Sequence, residues 1–297
     1  RGDIPEWVQP SFEQAFGAGW LSEAQALATR PTLDLRANIL KSSRDKAVKA
    51  LERAGAHAAK IARYGIRIAA GEGASRLPNV TAELSFQKGW FEVQDEGSQI
   101  VADLVLAHEG DQVLDYCAGG GGKTLAMAAA MQNKGQVHAY DADRKRLAPI
   151  IERLKRAGTR NVQVHDDAKG LAGLAGRCDK VLVDAPCTGT GTWRRRPDTK
   201  WRLTAKNLDE RTAQQQGALA QASGFVKPGG ELIYVTCSVL PQENEEQVRR
   251  FTADNPDFQI VSALPAWDAL FGKDAPRPHS SDGLTVTLTP ASTDTDG

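Results

Sequence analysis

Cysteine is scarce in this chain, with four in 297 residues: Cys117, Cys178, Cys187 and Cys237. No two form a Cys-x-x-Cys pair and no Cys/His cluster has zinc-ligand spacing, which excludes a zinc-organised fold, and no metal is expected. A chain of this length buries enough core to do without disulfides, so it reads as cytoplasmic with reduced thiols. Long apolar runs are also missing. No stretch approaches the roughly 18 to 20 residues of a membrane span, and no secretory signal opens the chain, so no membrane partner is expected. Net charge is absent: 37 Lys and Arg balance 37 Asp and Glu, which removes any global electrostatic case for nucleic acid. There is no internal repeat or low-complexity segment. The chain opens on Arg1 rather than Met, which points to a missing N-terminal piece.

What is present is an ordinary globular composition, 41% hydrophobic and 25% charged. The charge is unevenly spread. Residues 31–70 carry nine Lys/Arg against three Asp/Glu, residues 194–211 seven against three, and residues 231–297 four against eleven. Local basic surface can hold a phosphate backbone on a neutral molecule, although such runs are more often solvated faces.

The pattern divides near residue 88. Residues 1–88 read as a helical lead-in to about residue 30, then a small α/β subdomain with a strand over 33–39 and a helix over 43–54. Gly71-Glu72-Gly73 and Leu77-Pro78-Asn79 punctuate its end. Residues 89–297 alternate regularly. Strands are expected at 112–117, 136–141, 161–166, 178–186 and 231–238, and helices at 94–107, from the glycine run through Met131, at 143–157, 204–226 and 243–253. This alternation predicts an α/β fold, a mostly parallel sheet with helices on both faces and ligands at the carboxyl ends of its strands.

The first of those ends carries Cys117-Ala118-Gly119-Gly120-Gly121-Gly122-Lys123-Thr124. Glycines allow a tight turn and close ligand approach, and the helix that follows offers free N–H groups. A P-loop would need glycine at Cys117, and a dinucleotide loop would need it at Thr124. S-adenosylmethionine makes neither demand. Its ribose wants a carboxylate at the end of the second strand, where Asp141 stands, and Asp167 after the third strand is placed to meet the adenine side. The plain alternative is that Asp141 and Asp143 cap the next helix.

Two cysteines stand at strand ends beside polar turns: Cys187 in Asp184-Ala185-Pro186-Cys187-Thr188-Gly189, and Cys237 in Thr236-Cys237-Ser238. If the strands pair as neighbours, both thiols face one cleft. A lone cysteine is more often an inert core residue, and Cys178 fits that description.

These segments resemble the Sun/RsmB family of RNA cytosine-5 methyltransferases, related to the NOP/Sun proteins. The resemblance runs through Leu33-Asp34-Leu35-Arg36-Ala37-Asn38, Val93-Gln94-Asp95-Glu96-Gly97-Ser98-Gln99, the glycine turn, residues 184–201 (DAPCTGTGTWRRRPDTKW) and residues 236–246 (TCSVLPQENEE). It implies a Rossmann-like class I methyltransferase core with a seven-stranded type of sheet, preceded by a small RNA-binding subdomain. It implies that residues 117–123 with Asp141, Asp167 and Asp184 hold S-adenosylmethionine, that Cys237 is the nucleophile, and that Cys187 helps release the product. Arg194, Arg195, Asp198, Lys200 and Trp201 would line the RNA-side cleft. The expected partner is RNA, ribosomal RNA first and transfer RNA second, and the expected state is a monomer. In that chemistry a thiolate adds to carbon 6 of cytosine so that carbon 5 becomes nucleophilic, and Asp184 stabilises the protonated adduct.

The chain departs from the family in two places. Gly119 and Gly120 replace the usual Ala-Pro, so a more flexible loop and weaker donor binding are expected. The sequence ends at Thr295-Asp296-Gly297, where relatives run on into a final apolar strand, so either that strand is missing here or the sheet closes differently. Three other readings stay open: a DNA cytosine-5 methyltransferase using Cys187, a P-loop NTPase, and a non-catalytic RNA-binding or assembly factor.

Overall fold

The computed structural model describes residues 2–71 and 76–297, so Glu72 and Gly73 of the expected break lie outside the described residues. The chain forms two compact units. One comprises Arg1–Pro31, Ala185–Gln221 and Tyr234–Gly297, the other Thr32–Asp184 and Ala222–Ile233.

The first unit opens with α1 (Gln9–Phe16) and α2 (Trp20–Ala26), as the helical lead-in predicts. The second unit begins with a four-stranded sheet made by β1 (Leu33–Ala37), β2 (His57–Ala58), β3 (Gly65–Ile68) and β4 (Phe91–Val93), with α3 (Arg44–Ala50) after β1 and α4 (Leu84–Gln87) before β4. The order β2-β3-β1-β4 is antiparallel throughout, a split βαβ arrangement. Its closing strand lies past the boundary expected near residue 88. Leu35, Ala47, Leu51, Ile66 and Phe91 form its core, and each large apolar side chain there contributes about 1.5–3 kcal/mol relative to exposure. Beneath it Arg67 pairs with both Asp34 and Glu96, at 2.9 Å each, with all three side chains buried. Glu96 also accepts the N–H groups of Ile61 and Ala62.

The second sheet follows α5 (Glu96–Leu104), whose start is capped by Asp95. Its strands are β5 (Gln112–Asp115), β6 (Gln136–Tyr140), β7 (Val162–His165), β8 (Cys178–Asp184) and β9 (Val226–Val235), in the order β7-β6-β5-β8-β9. The β5–β6, β5–β8 and β6–β7 pairs are parallel. Five strands are thus paired among the described residues, against the seven of the family pattern. Val113, Leu114, Val181 and Leu182 are fully buried, as expected for parallel strands covered on both faces. The strand order reverses at β5, and in such sheets the carboxyl ends flanking the reversal form the ligand crevice.

α6 (Gly122–Ala130) follows β5. The helix expected over 143–157 is two helices, α7 (Arg144–Leu147) and α8 (Ile150–Ala157). Pro149 separates them because its ring and missing N–H cannot continue a helix interior. The chain continues with α9 (Pro197–Arg202), α10 (Ala205–Ser223), α11 (Glu245–Asp254) and α12 (Leu264–Phe271), all in the first unit except the last two residues of α10. The core there joins distant segments: Val8, Phe12, Phe16 and Leu27 pack with Trp193, Val239 and Leu240, and the Phe12 and Trp193 rings stack at 5.8 Å. Among the described residues no helix is long and apolar enough to cross a membrane.

Candidate active site

The glycine turn links β5 to α6 in the sheet unit. Gly119 and Gly121 adopt positive φ, +50° and +80°, which an L side chain resists. A Cβ on Gly121 would also stand 2.5 Å from Ile150. The turn is tied at several points. Ala118 N–H donates to Tyr140 O at 2.9 Å, Gly119 N–H to Asp141 Oδ2 at 2.8 Å, and Gly121 N–H to Ala118 O at 2.9 Å. Arg153 Nη1 donates to Gly120 O at 2.5 Å.

Asp141, 4% exposed, directly follows β6. Besides Gly119 N–H it accepts Asp143 N–H at 2.8 Å, and Arg146 stands 3.8 Å away. Asp143, not Asp141, caps α7, by accepting Lys145 N–H. Asp167 is exposed and caps the short turn after β7 through Gly170 N–H at 3.1 Å. Asp184, at the end of β8, receives Lys123 Nζ at 2.7 Å. The loop lysine therefore reaches across the strand reversal to a carboxylate.

Asp115 lies beneath this cluster, 1% exposed. Thr124 Oγ1 donates to its Oδ2 at 2.6 Å, and its Oδ1 has no hydrogen-bond partner among the described residues. Burial pushes its carboxyl up to about 7, opposed by the Thr124 bond and reinforced by the charge of Asp184. Burial, with the carboxylates of Asp115, Asp141 and Asp184, also pushes the Cys117 thiol far up, so Cys117 is a neutral thiol and unsuited to nucleophilic attack.

Cys187 and Cys237 lie in the first unit. Ala185 N–H donates to Val235 O, which sets the Pro186-Cys187 turn beside the segment that leaves β9. That strand ends at Val235, earlier than expected, so Thr236, Cys237 and Ser238 form a turn of their own. Gly191 N–H donates to Cys237 O at 3.1 Å, and the hydroxyls of Thr190 and Ser238 meet at 2.9 Å. The result is a Cys187 Sγ to Cys237 Sγ distance of 3.1 Å, with Cys237 exposed and Cys187 partly buried. The hydrogen bond to Cys237, burial and the Glu243 carboxylate push the Cys187 thiol well above the ordinary cysteine range. Cys178 is fully buried.

Glu243 was not singled out in the sequence. It is fully buried and accepts Thr188 N–H at 2.9 Å, the Thr188 hydroxyl, and Gln215 Nε2 at 3.0 Å. Gln215 also donates to Pro186 O at 3.0 Å. The acid and the amide together hold the residues flanking Cys187. Glu243 lies within Gln242-Glu243-Asn244-Glu245-Glu246, where nothing local distinguishes one carboxylate as buried.

The basic segment is less open than expected. Arg194 and Arg195 both pair with Asp296, and the Arg194 and Asp296 side chains are buried. Lys200, 4% exposed, donates to Asp3 at 2.6 Å. Asp198 pairs with Arg202. Trp201 is 60% exposed, with Lys200 Nζ 5.1 Å from its ring centre.

A parallel sheet reversing at a glycine turn with carboxylates at its strand ends defines a Rossmann-like methyltransferase core. Residues 102–297 match the family described as 16S rRNA methyltransferase RsmB/F, and residues 4–72 match the ferredoxin-like domain of RsmF/B-like methyltransferases. The chain belongs to the RsmB/F methyltransferase family. It is 35% identical over 260 residues to ribosomal RNA small subunit methyltransferase B of Cronobacter sakazakii, covering 86% of this chain and 59% of that protein. It spans between 59% and 64% of the length of such relatives. A methyltransferase homologue from Pyrococcus horikoshii is 26% identical, with a TM-score of 0.75 over 98% of this chain and 88% of that one. The structure of NSun6 from Pyrococcus horikoshii with SFG shares the fold, with a TM-score of 0.83 at 20% identity over 100% of this chain and 97% of that one.

Proposed function

We propose that this protein transfers a methyl group from S-adenosylmethionine to carbon 5 of a cytosine in ribosomal RNA, with Cys237 as the nucleophile. The observation that carries this reading is the thiol pair, 3.1 Å apart on two turns, in a chain of this family.

The turn 117–123 suits the donor. The α6 N-terminus offers N–H groups to the donor's carboxylate. Asp141 would offer its oxygens to ribose hydroxyls, and exposed Asp167, after β7, would meet the adenine side. The Oδ1 of buried Asp115, unpartnered among the described residues, adds a polar atom beneath the turn. When bound, S-adenosylmethionine supplies an electrophilic methyl group.

The chain's own residues supply the rest. The Cys237 thiolate forms an Sγ–C6 bond with cytosine, and the electrons of the 5,6 double bond make carbon 5 nucleophilic. Asp184, oriented by Lys123, hydrogen-bonds the polar edge of the base and stabilises the protonated adduct. After carbon 5 is methylated, its proton passes to solvent water, the C–H pair reforms the 5,6 double bond, and the Sγ–C6 bond breaks to return the thiolate. Cys187, held protonated beside Cys237, assists this release. The base must be unstacked to be reached, which favours single-stranded or flipped substrate. Exposed Trp201 is suited to stack on an RNA base.

The test is covalent trapping on RNA containing 5-fluorocytosine, with S-adenosylmethionine present. Fluorine blocks the final elimination, so the nucleophile stays attached. Loss of the adduct in Cys237→Ala but not in Cys187→Ala supports the reading. The reverse outcome moves the nucleophile to Cys187, as in DNA cytosine-5 methyltransferases. RNA binding without any adduct in the unaltered protein indicates a non-catalytic factor.

A further inference from the structure

Four successive glycines, Gly119 to Gly122, should leave the turn with more freedom than any other sequence could. A methyl donor bound there would have to immobilise it. A guanidinium already holds the least constrained of the four. Gly120 has no positive φ to fix it, and a Cβ built on it would meet one group within 4 Å, Arg153 Nη1 at 3.2 Å. That same Nη1 donates to Gly120 O at 2.5 Å.

Arg153 is braced from behind. Its Nε and Nη2 each lie 3.1 Å from Glu92 Oε2. Glu92, on β4 and 2% exposed, also takes Arg156 Nη2 on both oxygens, at 2.6 and 2.8 Å. Arg156 in turn lies over the Phe86 ring at 4.2 Å. Neighbouring Gln94 accepts Arg36 Nε at 2.7 Å, and its Nε2 stands 3.5 Å from where a Cβ on Gly122 would be. The small sheet thus presents a fixed carboxylate, the carboxylate fixes the planar fork of Arg153, and the fork fixes one peptide of the turn.

We propose that Arg153, braced by Glu92, is a positioning residue for the donor turn, restricting through the Gly120 carbonyl the freedom that the glycines leave open. The proposal rests on the donor binding at this turn. It holds the ligand-free loop near its bound shape, so less conformational entropy is lost on binding.

The experiment compares Arg153→Ala, Arg153→Lys and Glu92→Gln with the unaltered chain. Amide hydrogen exchange of the peptide covering 117–123 is read without ligand, and S-adenosylmethionine affinity and kcat are read separately. Expected for Arg153→Ala are faster exchange, a Kd raised about tenfold, and kcat at saturating donor within about twofold. Arg153→Lys and Glu92→Gln should shift the same two readouts less. Gly120→Ala added to Arg153→Ala should restore part of both, since it stiffens the chain where the guanidinium has left space. Unchanged exchange and Kd in Arg153→Ala overturn the proposal, as does a fall in kcat with Kd intact. If Arg153→Ala does not fold, Glu92→Gln decides by the same readouts. If the unaltered chain binds no donor, the functional reading fails while the exchange result still judges the clamp.

Discussion

The sulfur of Cys187 stands 3.1 Å from that of Cys237, and the charge of the buried Glu243 carboxylate acts on Cys187. The two thiols are therefore unequal. The Cys187 thiol is pushed well above the ordinary cysteine range and is partly buried, while Cys237 is exposed. Iodoacetamide at neutral pH should label Cys237 first, and peptide mass spectrometry reads the order. Equal or faster labelling of Cys187 would contradict the asymmetry.

Glu243→Gln removes the charge and leaves one acceptor oxygen for three donors. Thr188 N–H, the Thr188 hydroxyl and Gln215 Nε2 compete for it. Urea unfolding should show a loss of about 1–3 kcal/mol. Without the carboxylate the Cys187 thiol should titrate lower, so its alkylation should accelerate at a lower pH than in the unaltered chain.

Asp115 should make the protein lose stability as pH rises. Its folded carboxyl is raised to about 7 from an ordinary 3.8, so its favourable contribution is complete below about 4 and is lost as pH climbs through 7. The slope is at most about 1.4 kcal/mol per pH unit. Asp115→Asn keeps an oxygen for Thr124 and should flatten that slope between about pH 4 and 7, measured by urea midpoints.

The buried histidine pair has the opposite sign. His138 Nδ1 meets His165 Nε2 at 3.0 Å on adjacent strands, and burial lowers His138 to about 4. A neutral His138 stabilises the fold above its unfolded value of 6.5, and that contribution disappears as pH falls toward 4. His138→Gln should remove part of the acid sensitivity in this window. An unchanged acid limb in thermal melts would rule the pair out as its source.

Arg67 bridges two buried carboxylates, Asp34 and Glu96. Arg67→Met would strand both, at a cost of about 3–5 kcal/mol. Circular dichroism melts should show the loss, and replacing Glu96 by Gln in the same background should recover part of it.

Much of this was legible in the sequence because the signals are local. Runs such as Gln112-Val113-Leu114-Asp115 and the glycines after them announce a strand, a turn and a helix within a dozen residues. The split of α7 from α8 was equally local, since Pro149 announces it, but the apolar periodicity masked the break. What could not be read depends on partners far along the chain. Arg194 and Lys200 looked like free cations until Asp296 and Asp3 met them. Glu243 carried no local sign of its role because its partners Thr188 and Gln215 lie far from it in sequence. The turn of four glycines looked loose because Arg153 and Glu92 lie on other elements.

The two compact units are interlaced along the chain, which passes between them after Pro31, Asp184, Gln221 and Ile233. The first helices carry Phe12 and Phe16, whose packing partners Trp193 and Leu240 are synthesised much later. During translation these helices therefore leave the ribosome well before Trp193 and Leu240, with only nearby partners such as Val8 and Leu27 to pack against. Neither unit can be exchanged between proteins as a single stretch of gene, so recombination within the family must keep both together or lose both.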